Sequence, residues 1–177
     1  MNKTRAVLCL VLIPALWSVM SKDCQSQEPV KIRIYDARKG VVKEVERVVK
    51  SEEEWKRILS SQQFYVMRQK GTEQPSSRKC DLPVQEGLYQ CAACGTDLFS
   101  VEKKFDSGTG WPSFWEPVSD LNIVLKPDNS SSMQRTEVLC ARCGAHLGHV
   151  FDDGPLPARK RYCINSAALE FCGGNKH

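Results

Sequence analysis

Nine cysteines and three histidines are spread through the 177 residues, and their spacing sorts them into different kinds of chemistry. Cys91 and Cys94 form a CxxC pair followed by glycine, and Cys140 and Cys143 form a second. A CxxC-Gly turn aims two sulfurs to one side, so two such turns supply the four soft ligands of a closed tetrahedral zinc site. The pairs share the pattern C-A-x-C-G-x-x-L, so two similar knuckles could face each other around one ion. Two local disulfides or one redox-active CxxC are the alternatives, and the duplication favours structural zinc. With all four positions taken by cysteine, such an ion holds no reactive water. Its work would be to tie together two turns that lie far apart in sequence.

Cys163 belongs to neither pair. If RYCIN at 161–165 is a strand, alternation puts Arg161, Cys163 and Asn165 on one face and Tyr162 and Ile164 on the other. A cation and an amide beside a thiol favour the thiolate, which is the nucleophilic form. Taken alone, a lone cysteine is more often an inert core residue, so the neighbours have to decide. His146 and His149 lie three apart after the second knuckle, with Asp152 and Asp153 close behind. Histidine exchanges a proton near neutral pH and a carboxylate can orient it, although either ring taken alone is more often structural, with an extra metal ligand as the other alternative. The stretch KFDSGTGWPSFW at 104–115 bends at two glycines and then offers Trp111, Phe114 and Trp115. These rings are either ordinary core or an aromatic surface for a small apolar group such as an S-methyl.

The elements that must position these groups are also legible. Residues 30–49 alternate apolar and polar side chains around Arg38-Lys39-Gly40, which predicts a β-hairpin. Ser51 with Glu54 forms a capping box for a short helix through Leu59. Ser60 or Ser61 caps a second helix, for which Gly71 is the expected stop. Residues 74–83 read as loop. From Gly87 onward LYQC, NIVLK, TEVLC, HVF and RYCIN, separated by Gly, Pro, Asp and Asn, read as strands of a β-rich domain. KPDNSSS at 126–132 reads as an exposed turn.

These stretches together resemble the B-type methionine-R-sulfoxide reductases. EWKRILSSQQFYVMRQKGTE, GLYQCAACGTDLF, KFDSGTGWPSF, RTEVLCARCGAHLGHVFDDGP and RYCINSAALEF occur in that family's order over residues 54–172. The resemblance implies a mainly β fold, two antiparallel sheets in a barrel-like or sandwich arrangement, with short N-terminal helices. It implies zinc on Cys91, Cys94, Cys140 and Cys143, away from the catalytic pocket. Cys163 would be the nucleophile, and Trp111 would hold the substrate methyl, with Phe114 and Arg161 as further substrate-binding residues. His149, helped by His146 and Asp153, would serve the sulfoxide oxygen, and Asn165 would position substrate or thiolate. The implied reaction is thiol-dependent reduction of methionine-R-sulfoxide, in proteins or peptides or free, through a sulfenic acid on Cys163. The implied reductant is a thioredoxin-like or other thiol, and a monomer is expected. One position departs from the pattern: many family members carry a resolving cysteine where this chain has Thr109. Cys80, in the loop before the first knuckle, is the candidate to replace it, with Cys172 as the alternative.

Residues 1–21 carry Lys3 and Arg5, then an apolar run broken by Pro14, which reads as a cleaved export signal. An uncleaved membrane anchor is the alternative, against which the run falls short of the ~20 residues a span requires. Export would place the protein in a periplasm or a secretory pathway. The chain is thus divided into signal 1–21, extension 22–50, reductase domain 51–172 and tail 173–177. A composition of 41% hydrophobic and 26% charged residues suits one globular domain. The net charge of +4 is dispersed among acids, which gives no nucleic-acid footprint. A non-catalytic zinc-ribbon binding module and a Cys-His hydrolase are the rival readings.

Overall fold

The computed structural model describes residues 28–76, 86–130 and 134–173. The expected export signal, Cys80 and residues 174–177 of the tail lie outside the described residues. Among the described residues no helix is long and apolar enough to cross a membrane.

The hairpin forms as expected, with β1 (Lys31–Asp36) antiparallel to β2 (Val41–Glu46). It docks through Asn122, a fully buried residue whose carboxamide takes the Tyr35 N–H at 2.7 Å and gives to the Tyr35 carbonyl at 2.8 Å. α1 (Glu52–Ile58) starts at the Ser51–Glu54 capping box, and α2 (Ser61–Gln69) starts at a second one between Ser60 and Gln63. The stop differs from expectation. Lys70, not Gly71, takes the left-handed conformation, at φ 58°, so that the Gly71 N–H can close back on the Tyr65 carbonyl at 3.0 Å. Trp55, Phe64, Val66 and Met67 turn the buried side of this helix pair inward, and α2 packs on strand Leu169's preceding turn and on residues 146–151.

The rest is antiparallel sheet. β3 (Gly87–Cys91), β4 (Asp97–Ser100), β5 (Lys104–Phe105), β6 (Ser113–Phe114), β7 (Ile123–Asp128), β8 (Arg135–Cys140), β9 (His146–Phe151), β10 (Arg161–Ile164) and β11 (Leu169–Gly173) follow in chain order. They make a six-stranded sheet, β5-β6-β10-β9-β8-β7, and a three-stranded sheet, β11-β3-β4. The mainly β fold with two short N-terminal helices is the architecture expected. Leu98, Phe99, Phe114, Val138, Leu147 and Ile164 fill the core at full burial.

Phe114 does not line the cleft as a substrate-binding residue. It is 0% exposed and stacks on Phe99 with ring centroids 4.5 Å apart. In the β6–β10 register Phe114 opposes the buried Tyr162, while Ser113 opposes Cys163. Alternation therefore sends the ring to the core and only its serine neighbour toward the nucleophile's side.

Candidate active site and metal centre

Each knuckle is a tight turn closed by a glycine with positive φ. Gly95, at 70°, donates its N–H to the Cys91 carbonyl at 2.8 Å, and Gly144, at 68°, donates to the Cys140 carbonyl at 2.8 Å. A side chain at φ near +70° would be strained, which is why glycine closes both turns. The four sulfurs lie within 4.8 Å of one another, with Cys91 to Cys143 at 3.7 Å and Cys94 to Cys140 at 3.5 Å. Those separations are far beyond a disulfide's ~2.05 Å. They match the ~3.8 Å edges of a tetrahedron with metal–sulfur bonds of ~2.3 Å. The donors present therefore fit a four-thiolate metal ion. Arg142 ties the two knuckles together from outside, donating to the Cys94 carbonyl at 3.3 Å.

Cys163 sits in mid-strand on β10, between Ser113 of β6 and His149 of β9. Its strand can approach β9 closely because Gly148 is there; a Cβ at that position would fall 2.1 Å from the Cys163 carbonyl oxygen. Above this contact opens a cleft lined by Thr72, Trp111, Arg135, His149, Phe151, Cys163 and Asn165. Burial pushes the Cys163 thiol up, and the charge of Arg161 and the hydroxyl of Thr109 pull it only part of the way back, so the net direction is up.

Glu73 organises one wall of the cleft. Its backbone carbonyl accepts the Trp111 indole N–H at 3.2 Å, and its backbone N–H donates to Asn165 Oδ1 at 3.2 Å. Asn165 Nδ2 is spent on the Leu147 carbonyl at 2.9 Å, so the amide is locked at both ends. The Glu73 carboxylate is buried and accepts the backbone N–H of Ser166 and, at 2.9 Å, of Ala167. It thus supplies the cap that Asn165, turned away, does not provide for the one-turn helix Ser166–Ala168. Glu73→Gln keeps only one acceptor and sets an NH₂ against a backbone donor, so stability should fall by about 2 kcal/mol. An unchanged urea unfolding midpoint would contradict this.

The histidines take partners that the sequence did not suggest. His149 Nε2 lies 2.7 Å from Asp128 Oδ2, and Arg135 Nη2 reaches the same oxygen at 2.9 Å. The Ser130 hydroxyl and backbone N–H, with His149, hold the Asp128 carboxyl well below the usual carboxylate range. His146 is 3% exposed and does not line the cleft. Its Nδ1 lies 2.7 Å from Glu137 Oε1, Lys70 Nζ is 2.8 Å from the other Glu137 oxygen, and the two imidazoles meet edge to face at 5.4 Å. Burial lowers the His146 pKa against the pull of Glu137, which keeps the ring neutral behind His149. For Glu137, burial pushes upward but the Lys70 and His146 hydrogen bonds outweigh it, and the net direction is down.

Asp153 does not reach a histidine. Both its oxygens take Arg161 N–H groups at 2.8 Å, and the Arg161 guanidinium lies 4.5 Å above the Phe151 ring. The chain leaves β9 beside the start of β10, which sets Asp153 next to Arg161, whereas His149 looks across the sheet to the end of β7. Cys172, the alternative resolving residue, lies on a different sheet from Cys163: the one-turn helix after Asn165 carries the chain into the other sheet, where its thiol meets Gln90 Oε1 at 3.0 Å.

Sequence reasoning missed Glu73, Asp128, Arg135, Glu137 and Phe151. A signal existed for two of them, since Arg135 and Glu137 alternate on one face of RTEVLC, which apart from Thr136 is otherwise apolar. Asp128 was hidden in a segment that reads as exposed turn. The depressed Asp128 pKa sets a sign: its pairing stabilises the fold above the ordinary value of 3.8 and is lost as pH falls through the lower folded value. Wild type should therefore be more stable than Asp128→Asn at about pH 6, with the gap narrowing by about pH 3. A gap in urea midpoint that widens on acidification would contradict the pairing.

The SelR domain profile matches residues 59–173. A peptide methionine sulfoxide reductase MsrB of Methanosarcina barkeri is 57% identical over 124 residues, covering 70% of this chain and 87% of the relative. A protein of the same name from Leptospira interrogans is 52% identical over 124 residues, covering 70% of this chain and 95% of the relative. Knuckles, cleft and nucleophile strand all lie inside the matched span, and the chain belongs to the SelR-domain family of MsrB peptide methionine sulfoxide reductases.

Proposed function

We propose that this protein reduces methionine-R-sulfoxide in peptides or proteins to methionine, with Cys163 as nucleophile, His149 as proton donor and an external thiol as reductant. The observation that carries the reading is the grouping of Cys163, carboxylate-backed His149 and a Trp111 pinned by Glu73 around one cleft. A sulfoxide sulfur is electrophilic, but oxide is a poor leaving group, so attack by a thiolate needs a proton delivered to oxygen. The oxygen passes from the substrate sulfur to Cys163: the substrate becomes a thioether and Cys163 a sulfenic acid. Two external thiol groups, as in a thioredoxin-like dithiol, then restore the Cys163 thiol, yielding a disulfide and water.

Trp111 and Phe151 offer the substrate methyl an apolar surface, and Asn165 is rigid enough to fix the sulfur's approach. His146 and Glu137 act through His149, and Arg161, neutralised by Asp153, lies on the cleft's rim through Phe151. The ion we assign to the four thiolates is zinc, since a closed sulfur tetrahedron suits it and leaves it no catalytic water. A monomer is our assignment for the working state, and the first 21 residues are assigned as an export signal on their charge and apolar pattern.

The test uses the two sulfoxide epimers of a methionine peptide with dithiothreitol. The R epimer should be consumed and the S epimer left, because methyl, oxygen and main chain must meet ring, acid and solvent in one handed order. Equal consumption of both epimers, or of neither, would overturn the assignment. No feature of the described residues favours the non-catalytic zinc-ribbon module.

A further inference from the structure

The β1–β2 hairpin ends before the span that the SelR profile matches, and none of its residues lines the cleft. The reaction above leaves it without work. Its contacts, however, converge on the metal centre. At the β1 end the Ala37 N–H donates to Asp97 Oδ2 at 3.0 Å, just beyond Cys94, and Gln90 Nε2 holds the other Asp97 oxygen at 2.7 Å. Asn122 completes this joint. Its carboxamide gives one N–H to the Tyr35 carbonyl and the other to the Asp97 carbonyl, while its backbone carbonyl accepts the Ala141 N–H, inside the second knuckle, at 3.0 Å.

At the β2 end the chain grips Arg142, which stands between the ligands Cys140 and Cys143. The Val48 N–H donates to the Arg142 carbonyl at 2.9 Å, and Arg142 Nε donates to the Glu46 carbonyl at 3.3 Å. The same guanidinium reaches the Cys94 carbonyl through Nη1 at 3.3 Å. Hairpin, first knuckle and second knuckle are thus joined through one side chain. The joint lies at the weakest point of the centre, since Cys94 is only partly buried whereas Cys91, Cys140 and Cys143 are buried.

An ion closed in by four thiolates offers no open position to an incoming chelator, so one sulfur must first swing away. That swing is a local opening of a knuckle, and it becomes rarer with every bond that has to break along with it. The hairpin adds such bonds to both knuckles from a segment distant in sequence. We propose, on the four-thiolate metal assignment above, that the hairpin is a clamp on the metal centre, holding both knuckles closed and slowing loss of the ion. Its effect is on the lifetime of the centre, and turnover at Cys163 does not depend on it.

The experiment follows transfer of zinc from the zinc-loaded full-length protein to pyridylazoresorcinol by absorbance, far below the unfolding transition so that only local opening counts. Arg142→Ala loses the links to both carbonyls, and release should quicken by about tenfold. Ala37→Pro and Val48→Pro each delete one hairpin N–H, and each should quicken release by about threefold. Both positions lie just outside β1 and β2, so neither proline breaks the ladder. All three variants should begin with one zinc per chain and reduce the sulfoxide at the wild-type rate, which separates a loosened clamp from a misfolded domain. If one proline variant does not fold, the other carries the test, because the two remove different links. Release unchanged in the proline variants would overturn the clamp, and a change confined to Arg142→Ala would assign the effect to that guanidinium and overturn it too. A wild type that binds no metal would remove the metal assignment and the clamp together, whereas equal release from zinc-loaded proteins would remove the clamp alone.

Discussion

Cys163→Ser should lose methionine-R-sulfoxide reduction by about 10⁴-fold or more, down to the background rate with dithiothreitol. Serine fills nearly the same space on β10 between His149 and Ser113, so the cleft and its hydrogen bonds have no reason to change. What disappears is a sulfur whose thiolate is a strong nucleophile and which can carry oxygen as a sulfenic acid. A serine hydroxyl offers neither, and nothing else among the cleft-lining side chains is a thiol. The variant should unfold at the wild-type urea concentration, which separates a chemical loss from a folding loss. Retained activity would remove Cys163 from the mechanism, and with it the roles given to His149 and Trp111.

The second large effect belongs to the metal centre. Cys140→Ala should abolish cooperative unfolding, leaving a protein without a thermal transition. Structural zinc contributes an apparent ~10–16 kcal/mol in small zinc domains, comparable with the ~5–15 kcal/mol by which whole domains are stable. Here the ion would join the turn after β3 to the turn after β8, one in each sheet, so it would hold the sheets together at that end. Wild-type protein should release one zinc per chain to a thiol-modifying reagent, with loss of the thermal transition. A metal-free wild type with a normal melt would refute the centre, as would a Cys140→Ala variant that melts like wild type.

Glu73 shows why part of the cleft was hidden from the sequence. It stands between the end of α2 and the stretch 74–83 that reads as loop, yet it bonds residues 38, 92, 93 and 94 positions away. Its role exists only once the helix pair is docked on the sheet. Phe114 fails in the opposite direction. The aromatic run around Trp111 suggested a shared surface, but alternation on β6 turns Phe114 to the core, while Trp111, outside that strand, lines the cleft. The hairpin, the Ser51–Glu54 capping box, a cap at Ser60 or Ser61 and the strand that carries Cys163 were readable because each depends on residues a few positions apart.

The sequence by itself determined the local devices: two CxxC-Gly knuckles, two capped helices, and a strand with Cys163 on its polar face. Only the tertiary structure decided which carboxylate serves which cation. Asp128 reaches His149 across 21 positions, Glu137 takes His146, and Asp153, the sequence's candidate for His149, goes to Arg161. Spacing along the chain fixes which side chains share a face of one element. Which faces meet depends on the order and register of strands in the sheet, and these follow from burying the apolar faces together.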